Sequence, residues 1–181
     1  MTLIPNNAMA TRSTIMKIKL AVDVTYHQGT ARAAGVLFES WADPHPLETL
    51  VLELPKVSNY IPGKFYLREL PCLLALVERL AYLPEFVLVD GYVWLTEKRL
   101  PGLGQHLYER LEGQVKVIGV AKSPFRNTPA PILLRGKSKR PLYITAAGLS
   151  DELAKGLISS MHGEHRIPTL LKLAHTLSKR Q

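Results

Sequence analysis

A single cysteine, Cys72, stands among 181 residues. An internal disulfide is therefore excluded, and nothing demands an oxidising compartment. No apolar run approaches the roughly 18 residues that a membrane-spanning helix needs. The first sixteen residues are polar and mixed and lack the apolar core of a secretory signal. Internal repeats and low-complexity tracts are also missing, which excludes solenoid and biased-disorder architectures. These absences lead us to expect a cytoplasmic monomer with no membrane partner.

What is present suits one folded domain. Hydrophobic residues make up 46% of the chain, enough for a real core at this length. Residues 1–16 are expected to be a flexible leader and 17–181 the domain. The net charge is +8, and it is unevenly spread. Up to Asp90 there are 8 Lys and Arg against 9 Asp and Glu; from Gly91 onward there are 15 against 6. A basic half suits a polyanion, because each neutralised phosphate releases condensed counterions. On charge alone, a solubility surface has an equal claim.

The hydrophobic pattern predicts strands over 17–23, 31–38 and 48–54, spaced as an antiparallel meander. A helix over 67–82 follows, with Leu70, Leu73, Leu74, Val77 and Leu80 at helical spacing. Further strands are expected over 85–90, 115–120 and 142–145. Helices are expected over 104–111, 150–161 and 168–178, with Asp151 and Glu152 suited to a helix start. The order describes an α/β domain with a mixed central sheet flanked by helices, matching the ribonuclease H-like arrangement.

Three acids fall where such a fold binds ligands. Asp23 is read as ending the first strand, Asp90 ends the strand Phe86–Val89, and Glu69 lies in the first turn of the helix. If the first and fourth strands are neighbours, Asp23 and Asp90 converge, which is costly without a cation or a proton. Mg²⁺ is the natural cation for a few carboxylates, water and phosphate oxygens. Taken singly, each acid has a structural alternative: a turn for Asp90, a helix-dipole partner for Glu69.

The surrounding residues supply a resemblance. Tyr60-Ile61-Pro62-Gly63 followed by Arg68-Glu69-Leu70-Pro71, with Val22–Tyr26, Val89-Asp90-Gly91, Gly119–Ser123 and Arg166-Ile167-Pro168, is similar in content and order to the endonuclease V family. The resemblance spans about Lys17 to Leu177. It implies a ribonuclease H-like fold and a metal-dependent endonuclease that nicks DNA 3′ to a deaminated purine such as hypoxanthine, in DNA repair. RNA is the alternative substrate. It further implies that Asp23, Glu69 and Asp90 bind Mg²⁺, with Mn²⁺ as a substitute, and that Lys122 contacts the scissile phosphate. Tyr60, Ile61, Pro62 and Gly63 would form a wedge. Gly63, Phe65, Leu67, Gly91, Gly102 and Leu103 would line a base pocket. The wedge also has a physical rationale, since Pro62 stiffens the loop, Gly63 admits close approach and Tyr60 offers a stacking face.

The chain departs from the family pattern at two histidines. Tyr92–Arg99 and Ala146–Asp151 stand where they are expected, although His106 matches a family histidine beside the pocket. Asp151 is considered as a fourth metal-binding carboxylate, with a helix cap as its alternative. His162, His165 and His175 are read as structural or solvated, and Cys72, Trp41 and Trp94 as packing residues. Arg135, Lys137, Lys139 and Arg140 are read as a basic loop, either solvated or tracking a backbone. A non-catalytic nucleic-acid-binding domain of the same fold is the competing class, as is a ribonuclease acting on inosine-containing or structured RNA.

Overall fold

The structure, a computed structural model, describes residues 15–55, 66–126 and 128–180. Among them the chain forms β1 (Ile15–His27), β2 (Thr30–Phe38), β3 (Glu48–Leu54), α1 (Tyr66–Glu78), β4 (Leu83–Val89), α2 (Leu103–Arg110), β5 (Lys116–Ala121), β6 (Ile132–Leu133), β7 (Leu142–Ala147), α3 (Asp151–Ser159) and α4 (Thr169–Lys179). The strands make one sheet in the order β3-β2-β1-β4-β5-β7-β6. The meander β1–β3 is antiparallel, as its short loops require, while β4 and β5 run parallel to β1. The expected mixed sheet flanked by helices is what the chain forms.

Two apolar layers cover the two faces, and strand alternation sorts residues between them. Leu20 and Val22 of β1, Val87 and Val89 of β4 and Val117 of β5 pack with α1 and α2. Ala21, Leu88, Ile118 and Val120 face the other way, into the layer containing Ala154 and Ile158 of α3 and Leu170 and Ala174 of α4. Trp41 packs edge-on against Phe38 and Phe86 at the rim of this second layer. Cys72 is fully buried within the first layer, as a small core residue.

One boundary differs from expectation in a way that matters. Asp23 does not end its strand, because β1 continues to His27 as one arm of a hairpin with β2. What stops near Asp23 is the pairing with β4, whose last partners are Ala21 and Leu88. The strand β6 was not expected, being only two residues long.

Candidate active site

Extending the parallel register of β1 and β4 by two residues sets Asp23 beside Asp90, at the edge where the pairing ends. The same alternation turns both toward the α4 side, two residues beyond Ala21 and Leu88. Lys122 follows Val120 of β5 by two residues and faces the same way. Its Nζ lies 2.5 Å from Asp90 Oδ2. These three residues share one small opening with Ile167 and Leu171.

The turn after Asp90 is held tightly. Gly91 has φ +155°, a conformation that residues with a side chain rarely adopt. The chain then crosses β5 so closely that a Cβ at Gly119 would stand 2.5 Å from the Gly91 carbonyl oxygen. The Val93 N–H donates to Thr145 Oγ1 at 2.8 Å, pinning the crossing. Asp90 is thus presented by a fixed backbone rather than by a loose Asp-Gly turn.

Glu69 reaches the cluster from the opposite layer, on the first turn of α1. It is only 8% exposed, so it is no solvated cap. Burial first, and then the charges of Asp90 and Asp23, push its carboxyl up to about 8, partly opposed by Arg68. Its neighbour Arg68 lays its guanidinium 3.5 Å over the Tyr26 ring. Burial, followed by Glu69, raises the Tyr26 hydroxyl well above its usual range.

Asp23 has partners that the sequence reading missed. Ser178 Oγ donates to Asp23 Oδ2 at 2.5 Å, and His175 Nδ1 lies 3.3 Å from the same oxygen. Both come from α4, three residues apart and so on one helix face. His175, read from the sequence as structural or solvated, thus stands against Asp23. Arg166 was noted only as part of a motif. It donates to the carbonyls of Lys122 and Pro141, which fixes the backbone that carries the Lys122 ammonium.

Other expected residues fall elsewhere. Asp151 is not brought to the cluster. Its Oδ1 accepts the Ala146 N–H at 2.8 Å and the Trp94 indole N–H at 3.3 Å, and its Oδ2 lies 3.5 Å from Arg99. Ser150 is the actual cap of α3, accepting from the Leu153 N–H. Arg135 is not a free basic residue. It is 7% exposed and donates to the carbonyls of Met161, Gly163 and His165. Of the base-pocket set, Gly91 and Gly102 both border the Tyr92–Val93 segment, with the Gly102 N–H donating to the Val93 carbonyl. Leu103 is buried in the first apolar layer, while Leu67 is 40% exposed. His106 stacks on Tyr66 with ring centroids 3.8 Å apart. The segment Tyr60–Gly63 and Phe65 lie outside the described residues.

The donor set is hard oxygen, as Mg²⁺ or Mn²⁺ requires. As the side chains stand, no group of three or more His, Cys, Asp or Glu among the described residues closes on one point. One oxygen of Asp23 is held by Ser178 and His175, and one of Asp90 by Lys122. The Glu69 carboxyl is raised first by burial and then by the charges of Asp90 and Asp23, and a cation would relieve that second, repulsive part.

Sheet order and helix placement, with Asp23 and Asp90 side by side where the pairing of β1 with β4 ends, define a ribonuclease H-like α/β domain. A model of the Endonuclease V family matches residues 5–150, and the chain belongs to that family. It is 32% identical to Endonuclease V of Pyrococcus horikoshii over 160 residues, 88% of this chain and 72% of that one. It is 40% identical to Endonuclease V of Xylella fastidiosa over 93 residues, 51% of this chain. That match spans 37% of the Xylella fastidiosa protein, well under half its length. In fold it resembles Endonuclease V of Ciona intestinalis, solved with a 24mer DNA containing an inosine followed by a ribo-adenosine. The TM-score is 0.71 at 20% identity, over 90% of this chain and 84% of that one. No helix among the described residues is long and apolar enough to cross a membrane.

Proposed function

We propose that this chain is a divalent-cation-dependent endonuclease that nicks DNA on the 3′ side of a deaminated purine such as hypoxanthine. The observation that carries the proposal is the register that sets Asp23 beside Asp90, with the buried Glu69 facing both. Family membership and the inosine-containing DNA held by the Ciona intestinalis relative support the reaction and its lesion.

In this reading Asp23, Glu69 and Asp90 would hold Mg²⁺ or Mn²⁺, which would supply Lewis acidity toward the phosphodiester. The protein's own groups do the rest. Ser178 and His175 orient Asp23 from α4. Lys122, in the same opening as Asp90, would offer its ammonium to a phosphate oxygen of the strand. Arg166 keeps the Lys122 backbone in place meanwhile. Tyr60–Gly63 serves as the wedge and stacking face beside an extruded base, whose unstacking costs a few kcal/mol and least when the base is mispaired. Gly91, with open space where a side chain would stand, would leave room for that base, while Gly102 packs against the Tyr92 carbonyl. The ribo-adenosine in the Ciona intestinalis complex makes inosine-containing RNA the second substrate to examine.

The test is cleavage of end-labelled DNA and RNA strands carrying hypoxanthine or adenine at one position, in Mg²⁺, Mn²⁺ or EDTA. The expected result is one nick 3′ to hypoxanthine in DNA, abolished by EDTA. Equal cleavage of adenine strands, or cleavage that persists in EDTA, contradicts the proposal.

A further inference from the structure

We propose that the groove between the loop after β5 and the first turns of α4 is a phosphate subsite. It would take the phosphodiester flanking the one cleaved, with Lys172 and Arg166 as its cations. The inference rests on the nuclease reading above and extends it to a second point of contact along the strand.

The groove has a volume of about 370 Å³ and is lined by Lys122, His165, Arg166, Ile167, Lys172 and His175. Three of the six carry a permanent positive charge and none is an acid. Lys122 has Asp90 as its partner. Among the described residues, Lys172, Arg166 and His165 have no carboxylate partner. Unpaired like charges gathered in one concavity cost stability, and a bound anion removes that cost.

Three further features point to an anion. The first turn of α4 contains no acidic residue, and Lys172 stands at its fourth position. A cation there opposes the helix dipole, so the fold leaves a positive end uncompensated where an anion would satisfy both. The Arg166 guanidinium is fixed by its bonds to the Lys122 and Pro141 carbonyls, and its Nε has no partner among the described residues. The buried Nε offers nothing to the groove, but the guanidinium's position is set before any ligand arrives and its charge borders the groove. Finally, the groove borders the acid cluster on two sides. It shares Lys122 with the opening beside Asp90, and His175 with Asp23. A strand whose scissile phosphate meets Lys122 would lay its next phosphate here. Phosphate contacts of this kind position a strand without reading its sequence.

The experiment is fluorescence anisotropy of a single-stranded DNA of about 20 nucleotides with one deoxyinosine, in EDTA, between about 50 and 200 mM salt. Wild type, Lys172→Ala, Lys172→Glu and the control Lys155→Ala are compared. Lys172 is exposed on α4, so its variants should melt with the wild type. Lys172→Ala should lower the slope of log affinity against log salt by about 0.7, the value of one single-strand phosphate contact. Lys172→Glu should weaken binding further, and Lys155→Ala should match the wild type. In nicking assays the Lys172 loss should fall on KM. Because binding is read without cleavage, the two readings separate. A wild type that binds through Lys172 without nicking keeps the subsite and removes the nuclease. A wild type that nicks hypoxanthine strands, while both Lys172 variants bind with unchanged affinity and slope, removes the subsite. No binding by the wild type also overturns it.

Discussion

The Lys122 ammonium lies 2.5 Å from the Asp90 carboxylate, and the Arg166 guanidinium donates to the Lys122 carbonyl. The side chains of the pair are 35% and 39% exposed, so it contributes no more than about 1 kcal/mol to stability. Lys122→Ala should leave the melting temperature almost unchanged. Its nicking rate should fall by about 10²–10³, the usual effect of removing one group aimed at developing charge. A variant that melts much earlier yet nicks normally would make Lys122 a structural residue.

Glu69 gives the metal-free protein a distinctive pH dependence. Its carboxyl titrates at about 8 when folded against an ordinary 4.5. The folded state thus holds the proton more tightly than the unfolded state. Stability from this group is full below about 4.5 and is lost as pH rises toward about 8. Urea unfolding in EDTA should show that decline, and Glu69→Gln should flatten it. Added Mg²⁺ should reverse the decline in the wild type and not in the variant. An identical pH profile for wild type and Glu69→Gln would contradict the placement of this carboxyl.

Asp151 is bound to Ala146 and Trp94 rather than to the acid cluster. Asp151→Ala should therefore destabilise the fold by about 1–3 kcal/mol, through the loss of a charge-assisted acceptor. The Mg²⁺ concentration giving half-maximal nicking should not move. A shift in that concentration would bring Asp151 back as a metal-binding group.

Arg135 is an internal brace. Its guanidinium gathers three carbonyls from the segment between α3 and α4. Arg135→Ala leaves them without a donor and should cost more than about 2 kcal/mol, read by chemical denaturation. The salt slope of nucleic-acid binding should be unchanged. An unchanged stability with a reduced slope would return Arg135 to the basic surface.

Much of the site can be read from local pattern. Asp90 and Lys122 each follow a buried strand by one residue, and period-two alternation places them on one face. The meander and the later alternation of strands and helices predict the sheet that joins β1 to β4. Asp23 was placed at a strand end because the apolar run stops there. The hairpin with β2 carries the strand on to His27, and only the pairing with β4 ends nearby. His175 and Ser178 carried a faint signal, their common helix face. Their role depends on α4 packing against β1, which no local pattern states. Arg135 was illegible for the same reason, since its partners lie about thirty residues away.

The most direct measurement is nicking of hypoxanthine-containing DNA in Mg²⁺ by wild type and Asp90→Asn, with melting curves for both. Asparagine keeps the shape of the residue and removes the charge that a cation needs. The nicking rate should fall by more than about a hundredfold, with the melting temperature nearly unchanged. An Asp90→Asn protein that nicks the strand at the wild-type rate would contradict a catalytic centre built on Asp23, Glu69 and Asp90.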